Sequence, residues 1–434
     1  MQRPNILYLH SHDTGRFIQP YGHAVATPNL QRLAGEGVLF RQAFTVNPTC
    51  SPSRACLLTG QCAHRNGMLG LAHRGFALND YRQHLIHTLH AQGYTSALAG
   101  VQHIAHGPDA WQTIGYRQCL SQDSRSPETA AIAWLEQPHP EPFFLSVGFA
   151  DTHREFPTET PDDDPRWCLP PPPLPDTPET RLDMARFKTS ARRLDAKMGA
   201  VLDALERTGL AATTLVIATT DHGIAFPRMK CNLHDSGTGV MLILRGPGPF
   251  AGGRVVDAMV SHLDLFPTLC EWLAIPAPPW LEGRSLLPLL DGSAADIHEA
   301  IHTEVNWHAA LEPMRGVRTR RWKYIRRFDG RSRPVLPNCD DSPSKSVWLE
   351  HQWAHRGVDS EMLFDLVYDP NEAHNLVNDA RCQEPLQEMR GRLQAWMEAT
   401  DDPLLKGPLR PPPGIRVNDP DGLSPRETPQ PPPA

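Results

Sequence analysis

Through the first three hundred residues, short apolar runs alternate with stretches of helical periodicity, and this rhythm constrains the fold more than any other feature. Ile6–His10, Ser96–Gly100, Phe143–Phe149, Leu215–Thr220 and Met241–Leu244 read as strands, since brief apolar runs bounded by turn residues suit strands covered on both faces. Between them, Thr27–Gly35, Tyr81–Gln92, Thr129–Gln137 and Arg181–Thr208 read as helices. In the last, Leu194, Met198, Val201, Leu202 and Leu205 share a face and Gly209 stops the pattern. The alternation predicts an α/β fold with a largely parallel central sheet sandwiched by helices over residues 1–299. A smaller α+β subdomain is expected over 300–406, with strands at Ile301–Val305, Arg315–Arg327 and Met362–Tyr368 and a helix over Glu384–Thr400. The Arg-rich strand is expected to carry a solvated face. The proline cluster between Pro161 and Pro178 reads as a surface excursion near the ligand-binding end of the sheet, and the Pro-rich tail, 407–434, as extended or disordered.

Two acid–imidazole pairs follow predicted strands: Ser11-His12-Asp13 and Asp221-His222-Gly223. Open α/β sheets bind ligands at the carboxyl edge of their strands. One such pair is commonly a cap beside a solvated histidine, but two converging on one edge would give a four-ligand site for a divalent cation. His12, Asp13, Asp221 and His222 are therefore the candidate metal ligands, with Cys50 beside them.

Cys50-Ser51-Pro52-Ser53-Arg54-Ala55-Cys56-Leu57-Leu58-Thr59-Gly60 carries the most specific chemical signal. It resembles the signature of the sulfatase family, in which the cysteine is oxidised after translation to formylglycine, an aldehyde. A hydrated aldehyde has two hydroxyls: one can attack sulfur, and the other can lose its proton to expel the bound anion. A serine has only the first. Pro52 suits the first turn of a helix, Arg54 holds a permanent charge, and a helix start offers open N–H groups to an anion.

The resemblance implies an alkaline phosphatase-like fold, one divalent metal ion and roles for further residues. His153, after Gly148-Phe149-Ala150-Asp151-Thr152, corresponds to the histidine that protonates the leaving atom. Lys230, nine residues past Asp221, corresponds to the cation that contacts sulfate and bridging atom. His103 corresponds to the histidine that takes a proton from the formylglycine hydroxyl. The lysine that usually precedes this histidine is replaced here by Val101 or Gln102, so Arg154, Arg228 or His106 would have to supply its charge. Calcium or magnesium in an all-oxygen site is usual in the family; imidazoles at His12 and His222 favour manganese, iron or zinc. Asn66-Gly67-Met68-Leu69-Gly70-Leu71, Ser261–Thr268 and Leu363–Leu376 extend the likeness toward the sulfamidase branch.

The expected activity is hydrolysis of a sulfate ester or sulfamate of a carbohydrate or small molecule, after maturation by a formylglycine-generating enzyme. Glu304, His308 and Arg315 in the second unit are expected to wall the substrate pocket. The same aldehyde would also serve a phosphonate monoester or phosphodiester hydrolase, and a non-catalytic binding relative is a third reading. A net charge of −7 gives no electrostatic case for nucleic acid. No run approaches the roughly 20 apolar residues of a membrane span. Nine scattered cysteines without a CxxC pair suit a reducing compartment, and with no leader pattern a cytoplasmic location is expected. Self-association is compatible with this sequence.

Overall fold

The computed structural model describes residues 3–431. Nine strands form the larger sheet: β1 Asn5–Ser11, β2 Val38–Phe44, β3 Thr95–Gly100, β4 Gln118–Ser121, β5 Phe143–Gly148, β6 Thr214–Thr220, β7 Gly239–Val240, β8 Leu242–Arg245 and β9 Arg254–Ser261. Their order runs β4-β3-β5-β1-β6-β8-β2, with β7 and β9 also bonded to β2. From β4 to β6 every pairing is parallel. β8 is antiparallel to both β6 and β2, so β2 again points the same way as β6.

Residues alternate across this sheet with period two. Ile6 and Tyr8 face one core with Leu57, Leu58, Ile86 and Phe266, whereas Leu7 and Leu9 face the other with Leu30, Leu33, Leu135 and the Leu194–Leu205 stripe. Helices Cys50–Thr59, Leu85–His90 and Leu265–Trp272 thus cover one face, and Pro28–Glu36, Pro127–Leu135 and Pro178–Arg207 the other. The expected Tyr81–Gln92 helix is interrupted at His84, whose Nδ1 accepts the Ile86 N–H and starts a new helix there. Among the described residues, no helix is long and apolar enough to cross a membrane.

A second, antiparallel sheet has the order β10 Ile301–Trp307, β11 Leu311–Arg318, β12 Trp322–Arg327 and β13 Glu361–Asp365. The Arg-rich run is a hairpin, not the single strand expected, and its face is not uniformly solvated. Arg315, Arg318 and Arg327 are buried, each against a carboxylate from Asp402, Asp235 or Glu312, which is what allows a guanidinium to leave water. Arg320, Arg321 and Arg326 remain exposed. Residues 407–431 are irregular but packed rather than disordered: Leu409, Ile415 and Val417 are buried, the Asn418 N–H donates to Ala309 O at 2.8 Å, and Val417 pairs with Gln430. The rest of the expected tail, 432–434, lies outside the described residues.

Candidate active site

Register alone brings four candidate segments to one edge. His10 lies opposite Gly148, Ser11 opposite Thr220 and Gly100 opposite Gly148. His12-Asp13, His103, His153 and Asp221-His222 therefore leave neighbouring parallel strands at one level. β2 delivers the Cys50–Thr59 helix to the same edge, where Ser53 Oγ donates to Asp221 O at 2.5 Å. The helix ends at Gly60, φ +69°, where a Cβ would come 2.4 Å from Leu281 Cδ2. The left-handed backbone, rather than the movable Leu281 side chain, explains the glycine that closes the motif.

The cluster is almost wholly out of water: Cys50, Asp13, Asp221 and His222 are each no more than 3% exposed. Cys50 Sγ is 3.4 Å from His222 Nε2, which lies 3.4 Å from Asp13 Oδ1 and 3.7 Å from Asp221 Oδ2. His12 Nδ1 is 3.0 Å from Asp221 Oδ2. His222 Nδ1 donates to Gly223 O at 3.0 Å, which orients the ring with Nε2 toward the cluster. Burial, then the charge of Arg54, pushes His12 down to about 4, so it is neutral at pH 7. Burial alone would raise the Asp221 carboxyl, but His222, Arg54 and His12 together hold it well below the usual range. Asp13 sits at φ +50°, a conformation uncommon outside glycine that an aspartate tolerates better than most.

The donors fit a divalent ion. Asp13 Oδ1 is buried without a hydrogen-bond partner, a costly state unless something else satisfies it. One ligand atom each from His12, Asp13, Cys50 and Asp221 lie within 4.8 Å of one another.

Cations flank this centre. Arg54 Nη2 donates to Asp221 Oδ2 at 2.9 Å and to Ser11 O at 2.8 Å, and Nη1 reaches His10. Lys230 Nζ lies 2.9 Å from both Asp13 Oδ2 and Asp340 Oδ2. Burial disfavours its charge, yet the two carboxylates hold the ammonium well above the ordinary lysine value. Burial also pushes the Cys50 thiol well up, although Lys230 opposes it. An unmodified thiol here is a poor nucleophile.

His103 and His153 stand on the open side of His12, with ring centroids 5.6 and 5.4 Å away. His153 Nδ1 donates to Arg154 O, leaving Nε2 for chemistry. His103 Nε2 lies 3.3 Å from His73 Nδ1, and burial, then the charges of His12 and Arg54, holds His103 well below the ordinary imidazole value. His308 is also buried, and burial, then the charge of Lys230, holds its imidazole well below the ordinary value.

Four residues expected at the substrate are committed elsewhere. Arg154 forms a paired bridge to Asp183 at 2.7 and 2.8 Å and stacks on Phe156 and Phe226. Arg228 donates to Glu372 O and contacts His234. Glu304 and Arg315 belong to a buried network with His64 and Asp402. Arg154 is therefore not free to replace the missing lysine. Sequence reasoning missed Asp340, His10 and His73. Asp340 has no spacing signal, His10 is hidden within an apolar strand, and His73 lies next to a resembling segment without belonging to it.

Residues 4–275 match the family described as Sulfatase, and 226–346 match N-sulphoglucosamine sulphohydrolase, C-terminal. The chain belongs to the sulfatase family. This sulfatase is 31% identical over 468 residues to human N-sulphoglucosamine sulphohydrolase, covering 93% of this chain and 92% of that protein. It is 27% identical to an ulvan-active sulfatase of Formosa agariphila over 92% of this chain and 76% of that one. A solved structure of a protein in complex with its substrate, D-glucosamine-2-N,6-O-disulfate, aligns with a TM-score of 0.72 at 19% identity, covering 94% of this chain and 99% of that one. That likeness establishes the fold. Membership makes the protein a sulfuric ester hydrolase, and implies a metal ion and formylglycine.

Proposed function

We propose that this sulfatase removes the N-linked sulfate from a glucosamine-type sugar. The carrying observation is the match to N-sulphoglucosamine sulphohydrolase over nearly the whole chain, including the C-terminal segment that delivers Asp340 to Lys230. A two-imidazole, two-carboxylate ligand set of His12, Asp13, Asp221 and His222 favours manganese, iron or zinc over calcium. Formylglycine at position 50, made by a formylglycine-generating enzyme, would supply a hydrated aldehyde as nucleophile, and an ion held by these four residues would supply Lewis-acid polarisation of the sulfuryl group.

The chain's own residues supply the rest. Lys230, kept charged between Asp13 and Asp340, stabilises negative charge on the sulfuryl oxygens, and the open N–H groups at the start of the Cys50 helix add to it. His153 Nε2 carries the proton that the departing nitrogen takes. His103, half-buried and with its imidazole held well below the ordinary value, accepts the hydroxyl proton when sulfate is released. Arg54 is a positioning residue: it fixes Asp221 and the backbone of Ser11, and through them the ligand geometry.

The test is turnover by one matured preparation of glucosamine N-sulfate, an aryl sulfate and an aryl phosphonate. A preference for the sulfamate of at least tenfold in kcat/KM is expected. A phosphonate preference of several orders would overturn the reading.

A further inference from the structure

Beside the cluster a cleft of about 660 Å³ opens, lined by His73, Arg74, Phe76 and His106 on one side and by Arg416 and Pro429 of the tail on the other. It adjoins the catalytic edge directly. His73 stacks on His103 with centroids 5.6 Å apart, and His103 in turn faces His12.

The two arginines of this cleft, Arg74 half-buried and Arg416 exposed, differ from the buried arginines of the molecule. Arg54, Arg154, Arg315 and Arg327 each meet a carboxylate. Among the described residues, the hydrogen-bond acceptors of Arg74 and Arg416 are backbone carbonyls: Arg74 Nη1 reaches Ala309 O at 3.3 Å and Arg416 O at 3.5 Å, and Arg416 Nε and Nη2 reach Pro429 O at 3.2 and 3.0 Å. Arg74 Nε is buried without a partner. Burial, then the charge of Arg74, pushes His73 down to about 4, so at neutral pH the arginines are the cations here.

The tail makes this wall a built one. The Arg416 N–H donates to Arg74 O at 3.2 Å, and Ile415 packs over Gly75. On the far flank Ser424 bonds Asp341 and Arg426 pairs with Glu155, two residues past His153. Residues 415–426 therefore run from the His73 side of the opening to the His153 side.

We propose that this cleft is an anion subsite, in which Arg74 and Arg416 receive a second negative group, carboxylate or sulfate, on the sugar adjoining the one that loses its sulfate. Uncompensated guanidinium groups in a concave wall are suited to that recognition. The proposal rests on the reading of the site as one that acts on sulfated sugars.

Matched disaccharides carrying glucosamine N-sulfate beside a uronic acid, a 6-O-sulfated hexose or a neutral hexose test it. For the parent protein, kcat/KM should be higher for at least one anionic disaccharide than for the neutral one. In R416Q that ratio should fall at least tenfold, and R416K should recover most of it. Whichever anionic substrate shows the change identifies carboxylate or sulfate. Equal losses on anionic and neutral substrates would mean that Arg416 only braces the tail, and would overturn the proposal. If the parent turns over none of them, the catalytic reading fails separately. Calorimetric titration of the same disaccharides then decides the subsite: tenfold weaker binding of an anionic one to R416Q supports it, and equal affinity refutes it.

Discussion

Position 50 sits where a single oxygen decides the chemistry. A serine there keeps one hydroxyl at the same helix start, so C50S should fold normally, release at most about one equivalent of leaving group per protein, and then stall. Steady-state turnover should drop by about 10³-fold or more, as for loss of other nucleophiles. C50A should show no burst. Rapid-quench measurement of leaving-group release distinguishes the two. Lys230 provides a second residue-level test. Its ammonium lies 2.9 Å from Asp13 and Asp340, so K230A removes charge stabilisation and should lower kcat by about 10²–10³-fold. K230R, with charge kept, should recover part of this. A K230A protein of parental kcat would remove Lys230 from the mechanism.

At the scale of elements, buried charge ties the second sheet to the short helix Ala63–Asn66 and to the segment after the C-terminal helix Gln383–Ala399. His64 Nδ1 donates to Glu304 Oε2 at 3.1 Å, and Arg315 Nε to Asp402 Oδ2 at 2.5 Å. Replacing Arg315 by Leu strands the buried Asp402 carboxylate, with an expected cost of about 3–5 kcal/mol, readable by denaturant unfolding. Burial raises the Glu304 carboxyl, but His64 and Arg315 outweigh it and hold the group well below its ordinary value. A depressed carboxyl stabilises the fold above its unfolded pKa of about 4.3 and loses that contribution as pH falls. The stability gap between parent and E304Q should therefore be widest near pH 7 and narrow in acid. A gap constant down to pH 3 would contradict the assignment. These elements also mark how far the sequence could be read. The strands before His12, His103, His153 and Asp221 were legible because each is an apolar run that ends at its chemistry. β2 was not: its sequence, Val38-Leu39-Phe40-Arg41-Gln42-Ala43-Phe44, exposes Arg41 and breaks the apolar run. The Arg-rich hairpin was misread because two of its counter-ions, Asp402 and Asp235, come from distant positions. Pairing of that kind has no local signal.

For the molecule as a whole, two cores back a sheet whose carboxyl edge gathers ligands, acids and cations, and the second sheet and tail close round that edge. The tail carries few strand or helix signals, yet Leu409, Ile415 and Val417 anchor it. Metal content is a property at this scale too, since the ligands arrive from β1 and β6 and the residue they serve from the helix after β2. The matured protein should contain about one equivalent of manganese, iron or zinc, and D13N should lose most of it while keeping its fold. The most direct test of the account is sulfate release from glucosamine N-sulfate by protein with formylglycine at position 50, before and after chelation. Release should stop on chelation and return when a divalent cation is restored; release that continues from metal-free protein would contradict it.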